Sequence, residues 1–371
     1  MLLKLGGHCS FQDFSEESCH GPGSDEMVQE ENEFTNRPDN TAFTQQRLPA
    51  WQPILSAGIV IPGFVLIGLA FIGVGVALFV TSRSIQVLER DYTGDESGTP
   101  CASCANSNVQ NSFGFCFPQS QGPVFFYYGL SNYFQNYRRY GTSKDDNQLY
   151  GVLKYFTSPS DNCAPYAYNS NNQPIVPCGS IANSMFNDTF KLYQTVNGTR
   201  QEVSLDGKGI AWWTDYNIKY RNPTNNPLKD AFNGSNSGLF YRNFLINPIY
   251  WSKPAYELDT SDPSNNGFVN QDFLVWMRRA ALPDFRKLYR RISQDKYPDG
   301  LPAGNYSLEI TYNYRVYRFS GKKKVVFSNV SWMGGKNEFL GIAYLVVGSM
   351  CVFMSIVMLI VYAKFKFPDE E

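Results

Sequence analysis

Two long uncharged apolar runs constrain this chain more than any other feature. The first is "ILSAGIVIPGFVLIGLAFIGVGVALFV", residues 54–80, and the second is "FLGIAYLVVGSMCVFMSIVMLIVY", residues 339–362. A helix needs about 20 apolar residues to cross the hydrocarbon core, so both runs are long enough to span it with some tilt. Buried helices of a soluble protein are rarely so long and so uniformly apolar. The N-terminus "MLLKLGGHCS" lacks the apolar stretch of a cleavable leader, and the first run begins only at residue 54. That run is therefore expected to stay in place as an anchor.

The spans set the expected organisation: an N-terminal tail over 1–53, a large domain over 83–338 and a short C-terminal tail over 363–371. Flanking charges scarcely orient it. Arg37 and Arg47 precede the first span and Arg83 and Arg90 follow it; Lys336 precedes the second, and Lys364 and Lys366 follow. Glycosylation signals decide more. Five Asn-x-Ser/Thr sequons, at Asn187, Asn197, Asn233, Asn305 and Asn329, all fall between the spans. So do five of the eight cysteines, Cys101, Cys104, Cys116, Cys163 and Cys178. Both features suit a lumenal or extracellular domain. The tails would then be cytosolic, with Cys9 and Cys19 reduced.

The domain is expected to be β-rich. The chain carries 24 Tyr and 28 Phe, residues that favour pleated, half-buried surfaces. In "GIAWWTDYNIKY", Ile210, Trp212, Tyr216, Ile218 and Tyr220 alternate with polar residues, which predicts a strand. "NYSLEITYNYRV" repeats the pattern through Leu308, Ile310, Tyr312, Tyr314 and Val316, and "VVFSNVSW" is a third candidate. Leu130, Tyr133, Phe134 and Tyr137 recur at helical spacing. "QDFLVWMRRAALPDFRKLYRRI" reads as two short helices broken at Pro283.

Chemistry is sparse. The only histidines, His8 and His20, lie in the N-terminal tail, so the large domain lacks the usual general base and the commonest zinc ligand. The His8–Cys9 and Cys19–His20 pairs match no compact zinc spacing. "CASC" at 101–104 has redox-motif spacing without a βαβ context. "DPSNNG" at 262–267 resembles the start of a calcium loop but places Phe273 where a bidentate Glu is needed, so an Asx-turn is expected. Asp145 and Asp146 are adjacent and diverge, which suits a solvated loop better than an acid/base pair. A net charge of −1 gives no electrostatic case for nucleic acid. Neither span holds an ionisable group at depth, the usual mark of an ion path. Gly73 and Ala77, and Gly341 and Gly348, are small residues that would let another helix approach.

Six blocks carry a resemblance: "RPDNTAFTQQRLPAWQP", "YYGLSNYFQNYRRY", "PCGSIANSMFNDT", "GIAWWTD", "NNGFVNQDFLVWMRRAALPDFRKLYR" and "SWMGGKNEFLGIAYLVVGS". From Arg37 to about Tyr362 the chain resembles the cell cycle control protein 50 family, also called transmembrane protein 30. "PDEE" and "TAFTQQRLPAWQP" lean toward the B paralogue. The resemblance implies a non-catalytic β-subunit of type-IV P-type ATPases, the flippases that move phosphatidylserine or phosphatidylethanolamine to the cytosolic leaflet. Such a subunit supports exit from the endoplasmic reticulum and activity in the Golgi, endosomes or plasma membrane. It implies an antiparallel β-sandwich with short helices and long loops, no cofactor, and membrane lipids and the ATPase as partners.

The resemblance also implies site residues. Cys101 and Cys116 match the outer members of a four-cysteine cluster of which this chain keeps three. Cys101–Cys116 and Cys163–Cys178 are the expected disulfides, with Cys104 free; Cys104–Cys116 with Cys101 free is the competing pairing. Asn187 and Asn197 match family sequons, and Asn305 is shifted from one. Residues 37–53 are expected to dock on the ATPase's cytosolic side through Arg37, Pro38, Asp39, Asn40, Phe43, Arg47 and Trp51. Pro38, Pro49 and Pro53 pre-order the segment, the arginines can make paired hydrogen bonds, and Trp51 suits the headgroup belt. A solvated tail is the alternative. A rival class is the trimeric ligand-gated channel, which also has two helices and a large disulfide-bonded outer domain. A lumenal enzyme is disfavoured by the missing histidines.

Overall fold

The computed structural model describes residues 40–48, 56–94, 110–117, 122–224, 228–232 and 245–365. It forms two units, one up to Ser56 and one from Ala57 onward. In the second unit two long helices, α1 (Ala57–Ser84) and α8 (Glu338–Phe365), bracket a β-rich domain. Both are long and apolar enough to cross a membrane. They run past the expected spans, because Arg83 and Lys364 extend the last turns into the polar region.

The strands are β1 (Val87–Asp91), β2 (Gln110–Phe117), β3 (Val124–Ser131), β4 (Thr189–Val196), β5 (Thr199–Glu202), β6 (Leu205–Asp206), β7 (Phe285–Ile292), β8 (Gly304–Thr311) and β9 (Lys322–Asn329). They build a five-stranded sheet, β1-β9-β3-β7-β6, and a four-stranded sheet, β2-β8-β4-β5, antiparallel throughout. The inner faces meet through rings. Phe115 of β2 stacks on Phe327 of β9, and Phe190 of β4 meets both Phe126 of β3 and Tyr289 of β7 at 5.0–5.2 Å. The expected β-sandwich is borne out, with an aromatic core. The short helices are α2 (Arg138–Thr142), α3 (Asp146–Leu149), α4 (Lys154–Thr157), α5 (Ser180–Asn183), α6 (Leu228–Phe232) and α7 (Gln271–Met277).

Strands form in two of the three candidates, at 304–311 and 322–329: Tyr306, Leu308 and Ile310 are buried in turn along β8, but the strand stops at Thr311, so Tyr312, Tyr314 and Val316 lie beyond it although the pattern runs on through them. Three local expectations are corrected. "GIAWWTDYNIKY" is not a strand. Ile210 and Ala211 donate their N–H groups to Gln271 Oε1, and Asp215–Lys219 is a π-turn. Buried Asp215 accepts from Lys219 and Arg278, which fixes the turn and leaves Trp212 and Ile218 exposed. In "LSNYFQNYRRY", Leu130 and Ser131 are the last residues of β3 and Asn132 adopts φ 57°, so helix starts only at Arg138.

The third correction concerns "QDFLVWMRRAALPDFRKLYRRI". Its first half is α7, capped by Asn270, whose side chain accepts from Phe273 N. Lys287 Nζ ends the helix by donating to the carbonyls of Val275, Trp276 and Arg278. The second half is β7. Its register against β3 shifts between Phe126 and Tyr127, a bulge that leaves Tyr289 of β7 without a β3 partner. The bulge spaces the inward residues Lys287, Tyr289 and Ile292 two and then three apart, which imitates a helix in the sequence.

Candidate partner interface

The two long helices pack on each other along a seam of small residues. On α1 the buried positions are Gly68, Gly75 and Ser82; on α8 they are Gly341, Gly348 and Ser355. Each set repeats every seven residues, the spacing that keeps one helix face on its partner. A Cβ on Gly75 would lie 3.0 Å from Leu345 N, and one on Gly341 would lie 2.9 Å from Phe79 N. Ser82 Oγ accepts from Asn337 N at 3.0 Å, closing the hairpin where it meets the β-domain. Gly341 and Gly348 are thus used within the chain. Gly73 and Ala77 stay on the exposed face of α1, and a Cβ on Gly73 would meet nothing within 4 Å. Reading the glycines and serines at heptad spacing would have found the whole seam in the sequence.

The β-domain above the hairpin is held by a fully buried ion pair. Lys323 Nζ donates to Asp188 Oδ2 at 2.6 Å and to Tyr314 O at 2.6 Å, and neither charged side chain is exposed. Asp188 Oδ1 accepts from Asn313 N and Tyr314 N, while Tyr92 OH donates to Oδ2. The ammonium lies 3.2 Å from the Tyr312 ring centroid. Burial pulls the Lys323 pKa down to about 8, although Asp188 opposes that fall. This network ties β9 to the entry of β4, a structural role that "KKKVVFSN" does not advertise.

The remaining expected site residues are dispersed. In the N-terminal unit, Arg47 donates to Asn40 Oδ1 across a compact turn in which Arg47 N bonds Ala42 O, and Phe43 is 77% exposed. Arg37, Pro38, Asp39 and Trp51 lie outside the described residues, as do Cys101, Cys104 and Asn233. Cys163 and Cys178 are bonded and buried. Cys116 is a free, exposed thiol, contrary to the expected Cys101–Cys116 bridge. It sits on the outward face of β2 between inward Phe115 and Phe117, opposite Asn305, with Sγ 3.0 Å from Asn305 Oδ1. Asn187, Asn197 and Asn305 are exposed, and Asn197 forms the Asn-Gly tip of the β4–β5 hairpin, with φ positive at both turn residues. Asn329 is buried, and its Oδ1 accepts from Gln86 N, which suits a structural amide rather than a glycan carrier.

The decoys resolve in physical terms. Asp262 caps a turn, its Oδ1 accepting from Ser264 N and Oγ, and its Oδ2 forms an ion pair with Lys208 at 2.7 Å, as an Asx-turn beside a lysine does. Among the described residues no group of His, Cys, Asp and Glu could hold a metal ion. Asp145 is not solvated as expected: it is buried and caps α3 through Asn147 N and Gln148 N.

A family model described as "LEM3 (ligand-effect modulator 3) family / CDC50 family" matches residues 78–368. The chain belongs to the LEM3/CDC50 family. This CDC50-family chain is 51% identical to human "Cell cycle control protein 50B" over 91% of its own length and 96% of that protein's. It is 52% identical to mouse "Cell cycle control protein 50A", covering 90% of this chain and 91% of the relative. It is 37% identical to "ALA-interacting subunit 3" of Arabidopsis thaliana, covering 88% and 87%. The A and B relatives stand within one point of each other, so identity does not favour the B form. As a CDC50-family member with two apolar helices, the chain is a membrane protein.

Proposed function

We propose that this chain is the non-catalytic accessory subunit of a type-IV P-type ATPase that moves aminophospholipids to the cytosolic leaflet. In this reading the β-domain is lumenal or extracellular and glycosylated, and both tails are cytosolic. The subunit supports folding of the complex, its exit from the endoplasmic reticulum, and transport in the Golgi, endosomes or plasma membrane. Family membership supports the reading, and the observation that carries it is the heptad seam. Because Gly68, Gly75, Gly341 and Gly348 are satisfied within the chain, the hairpin is complete as one unit. It offers its outer face, with Gly73 and Ala77, to a further helix.

Residues 37–53 would dock on the ATPase's cytosolic side, with exposed Phe43 as the apolar anchor. Extraction in mild detergent followed by mass determination tests the reading. The expected species holds one copy of this chain and one much larger ATPase chain. A homotrimer without an ATPase would instead support the two-helix ligand-gated channel.

A further inference from the structure

Two cavities of the β-domain share a ridge. One, of about 210 Å³, lies against Tyr128, Leu288 and Lys253; the other, of about 410 Å³, lies against Asn313, Arg315 and Phe319. Met185, Asn187 and Tyr250 line both. Asn187 is the acceptor of the sequon Asn187-Asp188-Thr189, and Thr189 is exposed beside it. Asp188 in the middle is locked in the buried pair with Lys323, so the fold fixes the direction in which Asn187 leaves the surface. Asn313 Nδ2 donates to the Asn187 carbonyl, pinning its backbone.

The Tyr250 ring is 64% exposed although its backbone is held by Asn183 Oδ1 and its neighbour Trp251 is anchored to Ala182 O. Neither the Asn187 amide nor the Tyr250 hydroxyl has a side-chain hydrogen-bond partner among the described residues. A rigid exposed ring flanked by hollows and hydrogen-bonding groups suits a pyranose: the ring takes the sugar's C–H face and the polar groups take its hydroxyls. An aliphatic occupant would leave Asn313 and Arg315 facing apolar surface.

We propose that the N-glycan of Asn187 folds back on the protein, its first N-acetylglucosamine residues seated on Tyr250 and covering the ridge between the two cavities. The inference rests on the reading of the β-domain as lumenal. Asn197 is the internal reference: it stands at a hairpin tip where a Cβ on Gly198 would meet nothing within 4 Å, so its glycan has no comparable platform.

The test is timed removal of N-glycans from the native full-length chain by peptide N-glycosidase, with each site quantified by mass spectrometry. An aromatic contact of ordinary strength predicts release from Asn187 slower than from Asn197 by roughly tenfold. Tyr250→Ala should bring the two rates together, and Tyr250→Phe, which keeps the ring, should preserve the difference. After denaturation the sites should release alike. Equal native rates in the unmodified sequence, or a difference untouched by Tyr250→Ala, would overturn the proposal. An Asn187 without glycan beside a glycosylated Asn197 would overturn it too while leaving the lumenal reading intact; absence of glycan at both sites would count against that reading itself.

Discussion

Gly68 and Gly348 approach so closely that each denies the other a side chain: a Cβ on Gly68 would lie 3.0 Å from Gly348 O, and one on Gly348 would lie 2.9 Å from Gly68 O. The obstacles are backbone atoms, which cannot swing away. Gly348→Leu should therefore push α1 and α8 apart, at a cost of about 1–3 kcal/mol, typical of overpacking. Gly73→Leu is the contrast, since nothing in this chain occupies that space. It should leave the isolated chain's thermal stability unchanged and lower its recovery with the ATPase. Equal loss of stability in the two variants would contradict the seam.

The Asp188–Lys323 pair gives a second expectation. Lys323→Met leaves a buried carboxylate without its cation, which costs about 3–5 kcal/mol. Asp188→Asn with Lys323→Met should recover part of that loss, because no uncompensated charge remains. Chemical denaturation of the detergent-solubilised chain measures both.

Buried tyrosines set a limit at high pH. Burial raises the pKa values of Tyr92, Tyr128, Tyr220, Tyr289 and Tyr314. Groups that keep their protons longer when folded contribute stability that is present below the unfolded value of 10 and is lost as pH rises above it. Lys287 acts oppositely: burial, then Arg278, lowers it to about 7, so its contribution grows from there up to its ordinary 10.5. Stability should rise from about pH 7 toward pH 10 and fall beyond it as the tyrosines lose their protons in the unfolded chain. Absorbance at 295 nm should show these phenols ionising together with unfolding; independent early titration would argue against the packed core.

The N-terminal segment is tested by Phe43→Ala with Arg47→Ala. Docking predicts normal membrane insertion and glycosylation but reduced lipid transport or ATPase recovery, with no rescue by high salt. Unchanged transport and recovery would leave the segment as a tether.

Peptide mapping addresses the covalent sites. Glycans are expected at Asn187, Asn197 and Asn305, and none at Asn329, whose amide is buried against Gln86. Non-reducing digestion should recover Cys163 joined to Cys178. A glycan on Asn329 would require the β9 end to open.

Properties that depend on local order were legible in the chain. Uninterrupted apolarity over 54–80 and 339–362 specified two helices, because lipid demands that every backbone group be satisfied within the segment. Strict alternation specified β8, since the strand's period of two puts Tyr306, Leu308 and Ile310 on one face. Family blocks pointed to the LEM3/CDC50 family for the same reason: they are runs of contiguous residues. Tertiary structure decided whatever depended on distant partners. Residues 285–292 became a strand because β3 was there to pair with and a bulge absorbed the extra residue. Gln271 and Arg278 supplied the partners that turned "GIAWWTD" away from a ladder. Asp188 found Lys323 across 135 positions of sequence, a pairing no local pattern encodes, and Asn187 and Tyr250, 63 residues apart in the chain, come to line the same cavities only in the folded domain.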